Sequence, residues 1–138
     1  MDTDSACPAA PASADRDTIL IVEDEDHVAA LIACILERAH YRVRRATHGA
    51  ECARLLEENE AGIALVLLDC TLPDVDGRVL FHELRHLAPG LPVIFVTGRD
   101  VSPLRVAFGA EHRVGFVPKP FFPAAVLKQV RETIGASA

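Results

Sequence analysis

The chain has 138 residues, half of them hydrophobic, and a net charge of −6 from 20 acidic and 14 basic residues. This size and composition fit a single globular domain with a sizeable core. The negative charge, with no basic stripe or helix-turn-helix pattern, argues against direct nucleic-acid binding, and no apolar run reaches membrane-spanning length.

The four cysteines are far apart and form no C-x-x-C pair. Cys34 and Cys52 fall among apolar positions of predicted helices, so we expect small core residues in a reducing compartment. The N-terminus lacks a basic region followed by an apolar one, which is the pattern of a secretory signal. We therefore expect a cytoplasmic protein.

Residues 1–17 are rich in Ala, Pro, Ser and Asp and show no apolar periodicity. Such a segment buries too little apolar surface to offset the entropy lost on ordering. We expect a disordered leader at 1–17 and a folded domain at 18–136.

The first predicted unit is an apolar strand at 19–22 that ends on Glu23 and Asp24. The helix after it has apolar residues at i, i+3, i+4, i+7 and i+8, and is expected to end near His40. The apolar residues of that pattern are Val28, Leu31, Ile32, Ile35 and Leu36. A solvated charge cluster is one interpretation of the acidic residues, but carboxylates also favour a helix N-terminus, and one follows here.

The second unit begins with residues 41–46, whose alternation predicts a strand with arginines 42, 44 and 45 facing outward. Arginines on an edge strand discourage pairing with another sheet, whereas a nucleic-acid patch is the less favoured alternative. A helix is predicted over 47–59, with Gly62 marking its end.

The third unit begins with the apolar run 64–68, typical of a strand buried on both faces, and it ends on Asp69. Pro73 and Gly77 then predict a loop. Ligands of open parallel sheets bind just beyond the carboxyl ends of the strands, so Asp69 lies where chemistry is expected. A capping aspartate is the alternative for this residue taken alone.

A helix is predicted over 78–87, with His82 and His86 four residues apart. Two histidines at this spacing can hold zinc, but no third ligand or intervening catalytic glutamate is apparent. We predict surface histidines.

Two further units complete the chain. The apolar runs 91–96 and 114–117 predict strands that lead to Thr97 and Lys119. The helices after them are predicted over 103–109 and from Pro123, which suits the first turn of a helix.

Five strand-then-helix units with short connections predict an α/β fold in which helices cover both faces of a parallel sheet. Polar residues follow four of the five strands: Glu23 with Asp24, Asp69, Thr97 and Lys119. Because parallel strands end at one edge, these side chains are expected to form one site.

In this order the motifs resemble the receiver domain of bacterial two-component response regulators, in particular the single-domain, chemotaxis-regulator-like type. The matching pieces are ILIVED at 19–24, VLLD at 66–69, Pro73, Gly77, VTG at 96–98 and FVPKPF at 116–121. The resemblance covers nearly all of 18–134. It implies a flavodoxin-like, doubly wound sheet of strand order 2-1-3-4-5 with five flanking helices.

The resemblance implies that Asp69 is the phosphoacceptor, receiving a phosphoryl group from a sensor histidine kinase or a histidine phosphotransfer protein. Such a protein catalyses its own phosphorylation and dephosphorylation but acts mainly in signalling. Glu23, Asp24 and Asp69 concentrate negative charge that repels phosphate unless a cation intervenes, and Mg2+ suits these oxygen ligands. The resemblance adds the backbone carbonyl of Thr71 as a ligand.

The residue types at the remaining strand ends suit the same reaction. Lys119 supplies a positive charge and Thr97 a hydroxyl donor for the phosphoryl oxygens. By resemblance, Thr97 and Phe116 form the switch, and the fourth helix, fifth strand and fifth helix present the face for a downstream protein target. The Lys119-Pro120 peptide is expected to be cis.

Two positions are expected to tune the lifetime of the acyl phosphate, namely Thr71 and Arg99. Thr71 is small and polar, so it neither covers the phosphoryl group nor strongly positions water. Arg99 can lie across the phosphoryl oxygens and obstruct in-line water, and the alternative is that it points into solvent.

Some positions depart from the family pattern. Pro118 removes a backbone donor and is expected to fray the fifth strand, and Phe122 leaves the last helix without a side-chain cap. The segment 105–114 keeps only part of the Ala-Gly-Ala-Asp signature. These departures leave the output partner open.

Two alternatives to a phosphorylated receiver remain: a phosphorylation-independent pseudo-receiver that binds a partner, and a receiver fragment of a larger regulator or hybrid kinase. Intact Asp69, Thr97 and Lys119 count against the pseudo-receiver. A phosphatase that forms an aspartyl phosphate needs a second acid where Thr71 stands, which excludes that class.

Overall fold

A computed structural model describes residues 18–59, 62–98, 102–108 and 113–135 of the chain. The predicted leader at 1–17 lies outside these residues. Strands and helices alternate in the predicted order: β1 (Thr18–Val22), α1 (Asp26–Arg38), β2 (Arg42–Ala46), α2 (Gly49–Asn59), β3 (Ile63–Asp69), α3 (Gly77–Leu87), β4 (Val93–Thr97), α4 (Ser102–Phe108), β5 (Val114–Pro118) and α5 (Pro123–Gly135). Among the described helices, none combines the length and the apolar character needed to cross a membrane.

The five strands form one parallel sheet of order β2-β1-β3-β4-β5, which confirms the predicted doubly wound α/β fold. Side chains alternate between the two faces, so β1 contributes Leu20 to one buried cluster and Ile21 to the other. The first cluster includes apolar residues of α2 and α3, and the second includes those of α1 and α5. β3 is buried from Leu65 to Asp69, as its continuous apolar run predicted.

The register of the strands brings their carboxyl ends to one edge. Val22 lies beside Leu68, Asp69 beside Val96, and Thr97 beside Pro118. The residues that directly follow β1 and β5 therefore lie at the same edge as Asp69, where the site was expected.

Most predicted boundaries agree with the structure to within one residue, but two elements begin two residues later than predicted. α2 begins at Gly49 and not at residue 47, because His48 is the residue that caps it: its Nδ1 accepts the Glu51 amide and its carbonyl accepts the Cys52 amide, both at 3.2 Å. β4 begins at Val93 and not at residue 91.

β5 is not frayed at Pro118, contrary to expectation. The strand runs through Pro118, and the next amide, that of Lys119, donates to the Thr97 carbonyl at 2.6 Å. Alternate residues of a parallel edge strand bond to the neighbouring strand, so the missing N–H of Pro118 faces away from β4 and no ladder bond is lost.

The buried face of α1 is rotated relative to the predicted one. Leu31 is 52% exposed and Cys34 is also exposed, so the predictions of an inward Leu31 and a core Cys34 were wrong. The buried face is centred on Ala29, Ile32 and Leu36. Cys52 is fully buried, as predicted, and burial raises the pKa of its thiol to about 12.

The two histidines of α3 are exposed, as predicted for surface residues. The His82 ring contacts the rings of Phe81 and Phe108, with centroids 5.6 and 5.7 Å apart. His82 thereby joins α3 to α4 by packing.

Candidate functional site

The polar residues predicted at the strand ends do lie together. An open cleft of about 470 Å³ is lined by Asp24, Glu25, Asp69, Thr71, Gly98 and Lys119. Glu23 lies beneath it, only 1% exposed. The cleft is thus bounded by the residues that follow β1, β3, β4 and β5.

Three carboxylates form the acidic part of the site. One oxygen from each of Glu23, Asp24 and Asp69 lies within 4.8 Å of the others. Asp69 is 5% exposed, whereas Asp24 faces solvent. Burial, and secondly the charge of Asp69, raise the pKa of Glu23 above its ordinary value. The folded chain therefore holds these negative charges together at an electrostatic cost that a cation can relieve.

Among the described residues, Lys119 contributes a positive charge to the cluster. Its Nζ lies 3.2 Å from Glu23 Oε1 and 3.8 Å from Asp69 Oδ1. Glu23 also accepts the Glu25 amide through Oε2 at 3.2 Å. Lys119 therefore pairs more closely with Glu23 than with Asp69, a contact across 96 positions of sequence that the motifs did not predict.

The β3–α3 loop holds Asp69 in one orientation. Asp69 Oδ1 accepts the Thr71 amide at 3.0 Å, and the Gly77 amide donates to the Cys70 carbonyl at 3.1 Å. Gly77 approaches the loop so closely that a Cβ there would lie 2.8 Å from Cys70 Cα and 2.9 Å from the Asp69 carbonyl oxygen. A glycine is therefore required at this position by the packing of backbone against backbone.

Thr97 and Phe116 lie on β4 and β5, and neither is among the residues that line the cleft. Thr97 is 4% exposed at the end of β4, and Phe116 is 7% exposed in the middle of β5. The Phe116 ring stacks on Phe95 with centroids 5.9 Å apart, and the Arg105 guanidinium of α4 lies 5.2 Å from its centroid. Phe116 is therefore turned inward in this structure.

Arg45 was predicted to face outward, and that prediction was wrong. Its guanidinium reaches the loop after β1, where Nε and Nη2 donate to the Glu23 carbonyl at 3.1 and 2.8 Å and Nη1 donates to Asp26 at 2.8 Å. The two-residue alternation of β2 could have indicated this, because it places Arg45 on the face of the half-buried Val43 and not on that of Arg42 and Arg44.

The Lys119-Pro120 peptide is cis, as the resemblance implied. Arg99, the predicted tuning residue, lies outside the described residues. Thr71, the other tuning position, is exposed and lines the cleft.

The donor set fits a hard divalent cation. Carboxylate oxygens are the ligands that Mg2+ prefers, and Mg2+ commonly keeps several waters, which an open cleft accommodates. Asp24 and Asp69 offer such oxygens at the cleft. Both carboxylate oxygens of Glu23 already have partners, since Oε1 pairs with Lys119 and Oε2 accepts the Glu25 amide. The residues present are therefore suited to Mg2+.

Comparison with known proteins gives consistent matches over nearly the whole chain. Residues 19–131 match the model of the response regulator receiver domain. The chain is 35% identical over 117 residues to the sensor kinase CckA of Brucella abortus (strain 2308), covering 85% of this chain and 12% of the kinase. It is 31% identical to the transcriptional regulatory protein CssR of Bacillus subtilis (strain 168), covering 85% of this chain and 51% of the regulator. The chain thus spans a small part of the kinase and about half of the regulator.

Solved structures show the same fold. A response regulator receiver domain protein from Methanospirillum hungatei JF-1 superposes with a TM-score of 0.76 at 29% identity, covering 88% of this chain and 95% of that one. The receiver domain of the hybrid histidine kinase CckA gives a TM-score of 0.71 at 32% identity, covering 85% and 98%.

Proposed function

This chain belongs to the response regulator receiver domain family, and we propose that Asp69 is its phosphoacceptor in a Mg2+-dependent reaction. Receiver domains of two-component systems in general accept a phosphoryl group, bind Mg2+ at an acidic pocket, and interact with histidine kinases or phosphotransfer proteins and with downstream targets. The proposal assigns these general properties to particular residues of this chain. A cytoplasmic location stays a prediction.

The observation that carries the proposal is the arrangement of Asp69, two further carboxylates and Lys119 around one open cleft. Asp69 is a buried carboxylate at the cleft, and the Thr71 amide fixes its direction. In the proposed step an Asp69 carboxylate oxygen attacks the phosphorus, the bond from phosphorus to a histidine nitrogen of the donor breaks, and the imidazole leaves with that electron pair.

We assign the Mg2+ ligands to the carboxylates of Asp24 and Asp69 and the backbone carbonyl of Thr71, with Glu23 contributing through a bound water. When bound, Mg2+ supplies positive charge that offsets the carboxylates and polarises the phosphoryl oxygens. The other contributions come from the protein itself. Lys119 transfers its ammonium contact from Glu23 to a phosphoryl oxygen, and the Thr97 hydroxyl donates to another.

The proposed output follows from the same two residues. Movement of Thr97 toward the phosphoryl group leaves space that the inward Phe116 ring occupies. Because Arg105 of α4 lies over this ring, a shift of Phe116 is transmitted to the α4–β5–α5 face. We propose that a downstream protein target binds this face.

The test of the acceptor is intact-mass measurement after incubation with a small phosphodonor and MgCl2. The wild-type protein is expected to gain one phosphoryl group, and Asp69→Asn to gain none, because an amide is not a nucleophile for this reaction. The matched control is Asp74→Asn, which replaces a loop carboxylate outside the cluster. This variant is expected to gain the phosphoryl group as wild type does. Phosphorylation of Asp69→Asn at the wild-type rate would show that another residue is the acceptor.

The metal assignment needs a separate measurement. Asp24→Ala is expected to weaken Mg2+ binding, measured by calorimetry without phosphodonor, and to slow phosphorylation in parallel. Unchanged Mg2+ affinity in this variant would refute the ligand assignment. A wild-type protein that takes up no phosphoryl group under any of these conditions would instead support the phosphorylation-independent pseudo-receiver.

A further inference from the structure

The loop between β1 and α1 carries Asp24, and β2 holds the residue before it at both backbone groups. The Glu23 amide donates to the Ala46 carbonyl at 3.0 Å. The Glu23 carbonyl accepts two hydrogen bonds from the Arg45 guanidinium, at 3.1 and 2.8 Å. The end of β2 thus holds the start of this loop through one main-chain and two side-chain hydrogen bonds.

The remaining nitrogen of the same guanidinium, Nη1, contacts the far end of the loop. Arg45 Nη1 lies 2.8 Å from Asp26 Oδ1, at the first residue of α1. Asp26 is 91% exposed on its side chain, so this ion pair taken alone contributes little to stability. Its geometric effect is larger, because one rigid, planar group spans the residues on both sides of Asp24 and Glu25.

Fixing the Glu23 carbonyl restricts where Asp24 can lie. The peptide unit is planar, so the Glu23 carbonyl carbon and oxygen lie in one plane with the Asp24 nitrogen and Cα. Hydrogen bonds that hold this oxygen therefore orient the plane from which the Asp24 side chain projects. Asp24 itself is exposed, so the fixed position of its backbone is not supplied by burial of its side chain.

We propose that Arg45 is a positioning residue for the Mg2+ site, which holds the Asp24 carboxylate where it can act as a ligand. This inference rests on the proposed Mg2+ site. Its physical basis is that a ligand already held in its bound geometry loses less conformational entropy on binding.

Charge and positioning predict opposite effects when Arg45 is replaced by a neutral residue. Removal of a positive charge near the site, taken alone, strengthens the attraction of Mg2+. Release of the Glu23 carbonyl and of Asp26 weakens binding, because Asp24 must then be ordered when the metal binds. The direction of the change in affinity therefore distinguishes the two effects.

The experiment is titration of the folded protein with MgCl2 by calorimetry at fixed ionic strength, without phosphodonor. We expect Arg45→Gln to weaken Mg2+ binding by about tenfold, the lower end of the roughly 10–100-fold range seen when groups that orient metal ligands are removed. Arg44→Gln, one residue away on the exposed face of β2, makes the same change of charge and is expected to leave the affinity within about twofold of wild type. Arg45→Lys keeps the charge but not the planar fork, so it is also expected to bind Mg2+ more weakly than wild type.

A double-mutant comparison separates positioning of Asp24 from general loosening. In an Asp24→Asn background, where the metal ligand is already impaired, Arg45→Gln is expected to cause a much smaller further loss of affinity. A full additional loss there would mean that Arg45 acts by destabilising the domain and would overturn the proposal. Circular dichroism checks that each variant is folded at the titration temperature, and Arg45→Lys serves as the test if Arg45→Gln is not.

The result that overturns the proposal is Mg2+ binding by folded Arg45→Gln as tight as, or tighter than, that of wild type. A wild-type protein that binds no Mg2+ would instead refute the proposed function on which this inference rests.

Discussion

Asp69→Asn is expected to make the metal-free protein more stable than wild type, although it removes the proposed acceptor. The substitution deletes one of three clustered negative charges and keeps the side-chain shape. The amide oxygen can still accept the Thr71 amide at the position of Oδ1, so the local hydrogen bond is retained. The change in the free energy of unfolding should therefore reflect the charge alone.

The size of the effect follows from the distances in the cluster. Asp69 lies within 4.8 Å of two carboxylates and 3.8 Å from the Lys119 ammonium. With an effective dielectric constant of about 40, between those of water and of a protein surface, each repulsion is about 1.7 kcal/mol and the attraction about 2.2 kcal/mol. Two repulsions outweigh one attraction, so removal of the charge stabilises the fold by about 1 kcal/mol. For a domain of this size that raises Tm by roughly 3–6 °C.

Thermal unfolding in EDTA at neutral pH measures the effect, with Glu83→Gln on the exposed face of α3 as a control for the loss of one negative charge. Saturating MgCl2 should reverse the order, because wild type is stabilised by metal binding to its folded state and the variant is stabilised less. An Asp69→Asn protein that melts at or below the wild-type Tm in EDTA would refute the electrostatic argument.

The same reasoning predicts a dependence on pH. The pKa of Glu23 is raised above 4.5, first by burial and then by the Asp69 charge. A raised carboxyl pKa means that the folded state binds more protons than the unfolded state, so metal-free stability falls as pH rises from about 4.5 through the raised pKa. In Asp69→Asn one of the two causes is absent, and the fall should be shallower.

Three other substitutions test the loops around the site. Gly77→Ala places a methyl group against the backbone of Cys70, so we expect it to destabilise the fold by about 1–3 kcal/mol and to slow phosphorylation. Gly62→Ala is the control, because its methyl group meets open space and should have neither effect. Equal melting temperatures for the two variants would contradict the packing argument. Asp74→Asn is expected to lower stability at neutral pH in urea unfolding and to make the loss of stability in acid shallower. Amides at the start of α2 lower the pKa of Asp74 below 3.8, so the stability they supply to wild type is lost as pH falls through the lowered pKa, and the variant lacks this contribution. A wild-type slope of stability against pH in the variant would rule this out. Arg99→Ala is expected to speed dephosphorylation with little change in the rate of phosphorylation. The measurement is the decrease of the phosphorylated mass over time. A hydrolysis rate equal to or slower than that of wild type would eliminate a shielding role for Arg99.

Periodicity and strand-end chemistry predicted the elements of the fold and the edge of the sheet that carries the site. The strand order, by contrast, came from the resemblance, because alternation alone requires only a parallel sheet. The error in the buried face of α1 has a local cause. The predicted pattern of apolar residues did not include Ala29, which is small. Ala29 is buried, so the inner face of the helix is rotated and Leu31 and Cys34 are exposed to solvent.

The pairing of charges within the site could not be predicted from strand ends. Motif positions show which residues meet at an edge of the sheet but not which of several carboxylates a lysine approaches, since that depends on burial and on ångström differences. Here the buried Glu23 attracts Lys119 to 3.2 Å, and Asp69 remains at 3.8 Å. Of the three clustered carboxylates, Glu23 has the least access to water, so its charge most requires a nearby cation.

This pairing gives Glu23 a second part in the proposed reaction. The Lys119 ammonium is held at Glu23, so a shift toward a phosphoryl oxygen would loosen this contact and reduce the positive charge beside a buried carboxylate. Mg2+ at Asp24 and Asp69 would place positive charge near Glu23 and make that exchange less costly. Metal binding should therefore aid phosphorylation in two ways, by offsetting the charge of the incoming phosphoryl group and by releasing Lys119 toward it. Glu23→Gln, which keeps the shape but holds Lys119 less tightly, should therefore show a smaller increase in phosphorylation rate from zero to saturating MgCl2 than wild type, and a larger increase would contradict the coupling.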